Sequence, residues 1–140
     1  MGRCIGLDVG SKRIGIAVSD ELGVLATPRG AIDRSTLRRD LAALSELIEE
    51  TAAEVIVIGY PVGMAGAPTA QTHQTERFAK MLSQETEVRI ELWDERLTTA
   101  MAEAITGSDP RTRRSGRRDA VAAAFILQGY LDHREKPPLS

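Results

Sequence analysis

Asp8 stands inside an apolar run, Ile5-Gly6-Leu7-Asp8-Val9-Gly10, where a carboxylate without partners would carry a large desolvation cost. Two uses offset that cost. A strand-end aspartate can accept N–H bonds from the turn that follows, here Gly10 and Ser11. A carboxylate held on a rigid strand can also serve as a metal ligand or general base. Asp94 and Glu95 raise the same question at the end of a second apolar run, just ahead of Thr98-Thr99. Adjacent strand residues point to opposite faces, so at most one of the two shares a site with Asp8. The plainer alternative is that Asp94 caps the following helix while Glu95 pairs with Arg96 in solvent. Asp119 opens an alanine-rich run, Asp-Ala-Val-Ala-Ala-Ala-Phe-Ile-Leu, where an acidic first turn already suits the helix dipole. Small residues at Ala120, Ala122, Ala123 and Ala124 would also let such a helix approach a sheet closely and bring Asp119 to the strand ends. Three convergent carboxylates suit Mg²⁺ or Mn²⁺, which prefer oxygen ligands. A pair of such ions about 4 Å apart can activate water and stabilise a leaving phosphate oxygen.

The segment before Asp119 supplies a second half to that chemistry. Arg111, Arg113, Arg114, Arg117 and Arg118 stand against Asp109 alone between Gly107 and Arg118. Guanidinium forks suit phosphates, so this local basic loop is expected to bind a phosphate backbone rather than to be only a solvated surface. Lys12 and Arg13, close to Asp8 in sequence, are expected to extend the same surface. Other chemistry has less support. Gly59-Tyr60-Pro61-Val62-Gly63 follows a buried strand but matches neither the P-loop nor the dinucleotide fingerprint. Ser11 and Ser19 have no histidine at triad spacing. His73 and His133 read as surface residues on helices, and Trp93 as a core residue or strand-edge anchor.

The elements that must position these residues follow from periodicity. Residues 3–9 and 13–19 are apolar runs joined by Gly10-Ser11-Lys12, a tripeptide of hairpin length. A third run, 23–32, carries a bulge or edge signal at Pro28. These short connections leave no room for crossover helices, so the three strands form an antiparallel meander. Ser35 or Thr36 caps a predicted helix reaching Glu50, with Leu37, Leu41, Leu44, Leu47 and Ile48 on one stripe. A β-branched strand at 54–59, a helix at 69–85, a strand at 88–93, a short helix at 98–105 and a helix at 117–131 complete the order. The fold class is therefore α/β: a mixed sheet with helices on its faces. A single domain over residues 1–135 is expected, with 136–140 as a disordered tail around Pro137-Pro138.

Composition narrows the partners. With 140 residues, the chain can bury about 70% of the surface exposed on unfolding. Eighteen Lys and Arg against 20 Asp and Glu give a net charge of −2, which excludes a uniformly basic surface and confines any nucleic-acid site to a local patch. One cysteine, Cys4, cannot form an intramolecular disulfide, and one Cys with two His gives no zinc spacing. No apolar run nears the ~20 residues of a membrane span, and Asp8 interrupts any signal-peptide core. A cytoplasmic protein without a membrane partner is expected.

Taken together, Ile5-Gly-Leu-Asp-Val-Gly-Ser-Lys-Arg-Ile-Gly-Ile-Ala-Val-Ser-Asp20 resembles the N-terminal signature of the YqgF family, also called RuvX. Asp94-Glu-Arg-Leu-Thr-Thr99 is similar to its second motif and Asp119-Ala-Val-Ala-Ala-Ala-Phe-Ile-Leu-Gln128 to its third. The likeness spans the chain to about Leu131. It implies an RNase H-like fold, a five-stranded mixed sheet of three antiparallel strands leading into parallel ones and flanked by helices. It also implies a two-metal nuclease centre, whose ligands here would be Asp8, Glu95 and Asp119, with Asp94 as the alternate to Glu95. Two departures stand out: the family's Gly-Leu-Pro-Leu-Asn-like loop is Gly59-Tyr60-Pro61-Val62-Gly63, and position 123 is Ala where related RuvC resolvases carry a further Asp.

The function expected from this reading is hydrolysis of phosphodiester bonds in structured nucleic acid, with two Mg²⁺ or Mn²⁺ ions held by Asp8, Glu95 and Asp119. The substrate would be structured RNA such as pre-rRNA in 5′-end processing, or branched DNA in Holliday junction resolution. Symmetric junction cutting would call for a homodimer. Two rivals are a nucleic-acid or ribosome-associated binding module without turnover, and an actin-like ATPase or sugar kinase suggested by Gly6-Leu-Asp-Val-Gly10. The latter needs a duplicated domain, for which the chain has no room.

Overall fold

Branched residues alternate with small ones along the first two strands, and this alternation gives the central sheet two unlike faces. In the computed structural model, which describes residues 2–61, 66–94 and 117–134, β1 (Cys4–Val9) and β2 (Arg13–Ser19) form an antiparallel hairpin. Its turn is closed by the Gly10 N–H donating to the Arg13 carbonyl at 2.9 Å. β3 (Ala26–Asp33) extends the meander. β4 (Val55–Tyr60) and β5 (Arg89–Asp94) continue the sheet in parallel with β1, giving the order β3-β2-β1-β4-β5. The described helices are α1 (Leu37–Thr51), α2 (Ala70–Glu85) and α3 (Arg117–His133). This is the five-stranded mixed sheet of the RNase H-like fold.

One face carries Ile5, Leu7, Val9, Ile14, Ile16, Ile56 and Ile58, packed under Leu41 and Leu44 of α1 and Phe78 and Leu82 of α2. The other carries Cys4, Ala17 and Val57 under Ala123, Ile126, Leu127 and Leu131 of α3. Thr36 is the α1 cap, its side chain accepting the Arg39 N–H at 3.2 Å. Thr69 and Thr72 form a reciprocal capping box at α2, which satisfies two otherwise orphan amides.

The sheet departs from the expected strand bounds at β3. That strand begins at Ala26 rather than Gly23, because the Asp20 carboxylate captures the Val24 and Leu25 N–H groups at 2.7 and 3.1 Å. A turn therefore replaces the first residues of the expected run. Pro28 does sit at a bulge: Ile16 pairs with Gly30 and Ala17 with Pro28, so Arg29 is extra on this edge strand. The expected helix at 98–105, most of the basic 107–118 segment and the 136–140 tail lie outside the described residues. Among the described residues, no helix is long and apolar enough to cross a membrane.

Candidate active site at the end of the sheet

Two missing side chains bring α3 down onto the sheet. A Cβ at Gly6 would lie 2.6 Å from the Leu127 Cβ and 2.8 Å from the Ala123 carbonyl oxygen. At Gly15 it would collide with the Asp119 carbonyl group and sit 2.9 Å from the Asp119 Cβ. Any residue larger than glycine at either position would have to displace the helix. Asp8 is the antiparallel partner of Gly15, and directly opposed residues project to the same face. Asp8 also shares strand parity with Gly6. Asp8 and the first turn of α3 therefore meet on one face, at the end of β1 and the start of β2. Both Asp8 and Asp119 are half-buried there.

Arg13 joins this corner. Its Nε donates to Asp119 Oδ2 at 2.9 Å, across 106 residues of sequence. The hydrogen bond first, and the carboxylate charge second, hold the guanidinium further into its protonated range. Arg13 and Arg117 both line an open cleft of about 530 Å³ between α3 and the β3 edge, with Asp33 at its rim. Lys12 is exposed on the hairpin turn, and Arg117 and Arg118 are exposed at the start of α3. The Gly10 N–H, one of two donors expected to satisfy Asp8, is committed to the Arg13 carbonyl instead.

Asp94 ends β5 next to Trp93, which packs into the α3-side cluster and meets Tyr130 edge-on at 6.3 Å between ring centroids. Alternation along the strand then puts Asp94 on the opposite face from Asp8. Glu95, Arg111, Arg113 and Arg114 lie outside the described residues. Among the described residues, no three His, Cys, Asp or Glu side chains group closely enough to hold a metal ion. The chemistry of the donors nevertheless fits a hard divalent cation: two carboxylates, one on a central strand and one on a helix seated against it. His73 and His133 are exposed on α2 and α3, as expected.

Sequence reasoning missed two features. The close seat of Asp119 on Gly15 was encoded in Arg13-Ile14-Gly15-Ile16-Ala17, where small residues alternate with isoleucine. A partly buried ion pair was also missed. Asp40, 2% exposed, accepts the Arg34 Nε–H at 3.2 Å and the Ser35 N–H at 3.1 Å. Its signal was an acidic residue on the α1 stripe between Leu37 and Leu41.

Known proteins resemble this chain along nearly all of its length. The family model described as "RuvX: Holliday junction resolvase" matches residues 2–133. A protein of Shouchella clausii named "Putative pre-16S rRNA nuclease" is 45% identical over 136 residues, covering 94% of this chain and 96% of the relative. One of the same name from Ruegeria pomeroyi is 46% identical over 129 residues, covering 91% and 84%. Among solved structures, T. thermophilus RuvC in complex with a Holliday junction substrate is similar with a TM-score of 0.59 at 17% identity, covering 94% of this chain and 96% of that one. Fowlpox virus resolvase in complex with Holliday junction DNA is similar with a TM-score of 0.53 at 9% identity, covering 93% and 97%. The structural likenesses show the fold, and with the family match and the curated relatives beside them, the chain belongs to the RuvX family.

Proposed function

We propose that the chain is a divalent-metal-dependent nuclease of the cytoplasm that hydrolyses phosphodiester bonds in structured nucleic acid. The names of its relatives favour the 5′ end of pre-16S rRNA as substrate, and the family description adds four-way DNA junctions. The observation that carries the reading is the convergence of Asp8 and Asp119 on one face, which the glycines under α3 permit. Asp8, Asp119 and Glu95 are the proposed ligands, Glu95 being preferred over Asp94 because Asp94 belongs to the other face. When bound, two Mg²⁺ or Mn²⁺ ions supply a more acidic water and offset charge on the departing 3′-oxygen.

The chain's own residues do the rest. Rigid placement on β1 and α3 holds the carboxylates ready, so little reorganisation accompanies catalysis. Arg13 orients Asp119 through its Nε, and with Arg117 it lines the adjoining cleft, where guanidinium forks suit a phosphate. Lys12, Arg118, Arg111, Arg113 and Arg114 are proposed to bind flanking phosphates, which fix register without reading sequence. For a junction, paired cuts would require two copies of the site in a symmetric dimer.

End-labelled cleavage of a pre-16S rRNA fragment and a four-way DNA junction, with Mg²⁺, Mn²⁺ or EDTA, tests the reading. Asp8→Asn is expected to abolish metal-dependent cleavage while leaving the fold and most of the binding intact. Undiminished cleavage by that variant would remove Asp8 from the chemistry. A folded wild-type protein that binds both substrates and cuts neither would instead be a binding module.

A further inference from the structure

A second cleft, of about 340 Å³, lies across the hairpin turn from the carboxylates, between α1 and α2. Ser11 of the turn reaches its wall, so the β1–β2 turn borders both sites. Arg34 is built into the floor: Nε is held by buried Asp40, Nη1 by the Gly10 carbonyl at 3.0 Å, and the guanidinium lies 5.4 Å from the Phe78 ring centre. Asp40 is buried while Arg34 stays partly exposed, so the two hydrogen bonds fix the guanidinium's position and leave one edge open to the cleft. Nη2 of Arg34 makes no hydrogen bond among the described residues, and Arg77, exposed on the α2 wall, has no ion pair among them. Among the described residues that line the cleft there is no carboxylate, Asp40 lying behind Arg34, while Leu37 and Met81 supply apolar surface beside Arg34 and Arg77. Cation pairs next to apolar surface match a phosphate attached to a sugar and base, and the volume falls at the small end of ligand clefts, about 300–1,000 Å³.

We propose that the α1–α2 cleft is a nucleotide subsite that holds one unpaired nucleotide of a substrate strand leaving the active site, its phosphate on Arg34 and Arg77 and its base or sugar against Leu37 and Met81. The proposal rests on the nuclease reading, since it gives the strand a path over the Gly10-Ser11-Lys12 turn. A free mononucleotide presents the same chemistry, and the test separates the two.

Gln74, exposed on the cleft wall, is the position for a reporter thiol, introduced as Gln74→Cys in the full chain; Cys4 is 1% exposed, so the introduced thiol is the accessible one. Its labelling by a maleimide is followed in EDTA with a single-stranded oligonucleotide, a blunt duplex of equal length, or AMP. The single strand is expected to slow labelling at least tenfold, and duplex and AMP to leave it unchanged. In parallel, Arg77→Glu is expected to weaken single-strand binding about tenfold and lower the log–log salt slope by about 0.7 for each phosphate it no longer neutralises. A strand that binds without protecting the introduced thiol, with Arg77→Glu binding normally, would overturn the subsite and leave the nuclease reading standing. Protection by AMP as strong as by the strand would make the cleft an effector site and overturn it too. Failure of the wild type to bind any nucleic acid would bring down the nuclease reading, and this inference with it.

Discussion

The two faces of the sheet solve different problems. Toward α1 and α2, β1, β2 and β4 present isoleucine, leucine and valine, and the helices answer with leucine and phenylalanine. Large side chains from both layers pack together there, and the result is mainly a core. Toward α3, β1 and β2 present Gly6, Gly15, Ala17 and Asp8 and β4 presents Val57, and the helix answers with Ala120 and Ala123 first and with Ile126, Leu127 and Leu131 further along. That face gives up buried apolar area, roughly 25 cal/mol per Å², to gain proximity. The lesson is that side-chain size, more than hydrophobicity, marks the face on which the proposed site lies. Branched residues make the face that holds the protein together. Absent side chains make the face on which a helix-borne carboxylate can meet a strand-borne one.

Among substitutions that leave the carboxylates themselves in place, the largest effect should come from adding one methyl group to the thin face. In Gly15→Ala the new Cβ meets the Asp119 main chain, which has no rotamer to move aside, so the start of α3 must lift. Overpacking of this kind costs about 1–3 kcal/mol, and the upper end is expected here. Cleavage should fall further than stability, by about 100-fold or more, because a displacement of about 1 Å in a catalytic group has that effect. Denaturant midpoints and single-turnover cleavage of the fully folded variant check the two separately. Wild-type cleavage in a destabilised Gly15→Ala protein would show that the close seat of α3 serves packing alone.

The converse substitution on the thick face sharpens the contrast. Ile56→Val removes one methyl from a residue that is 1% exposed and packs under α1 and α2. A loss of about 1 kcal/mol is expected, with cleavage per folded molecule unchanged. If cleavage dropped along with stability, the division of labour between the faces would be wrong.

These expectations also separate what the sequence could disclose from what it could not. Asp8 stood out in the sequence as a carboxylate inside an apolar run, and Asp119 as one at the head of an alanine-rich helix, although each also has a local structural use. The antiparallel meander and the later alternation of strands and helices were legible because short connections forbid crossovers and helices between later strands permit them. Arg13 was legible as a basic residue near Asp8, but not as the partner of Asp119, since nothing local links positions 106 apart. The face to which Asp94 belongs could not be read from the sequence, because it depends on the face of β5 that Trp93 shows once it is seen against Tyr130. Asp40 was hidden for a similar reason: its partner Arg34 is nearby in sequence, but nothing local to that stretch shows that Asp40 is buried.

The smallest effect concerns a thiol under α3. Cys4 packs in the thin-face cluster, its N–H donating to Ser19 Oγ at 2.8 Å and its Sγ 3.8 Å from Arg134 Nη1. Burial pushes the thiol up from its ordinary 9.0, against the opposing pull of the Arg134 charge. The unfolded chain therefore releases the Cys4 proton at a lower pH than the folded protein does. This contribution to stability is fully present below pH 9.0 and is lost as pH rises through the higher folded value. Urea unfolding of wild type and Cys4→Ala between about pH 7.5 and 10 measures it. The wild type should lose stability more steeply above about pH 9, by no more than about 1.4 kcal/mol per pH unit, the limit for one proton. Parallel curves would mean that the thin face leaves its thiol as well solvated as in the unfolded chain, and that the close approach of α3 ends before it reaches Cys4.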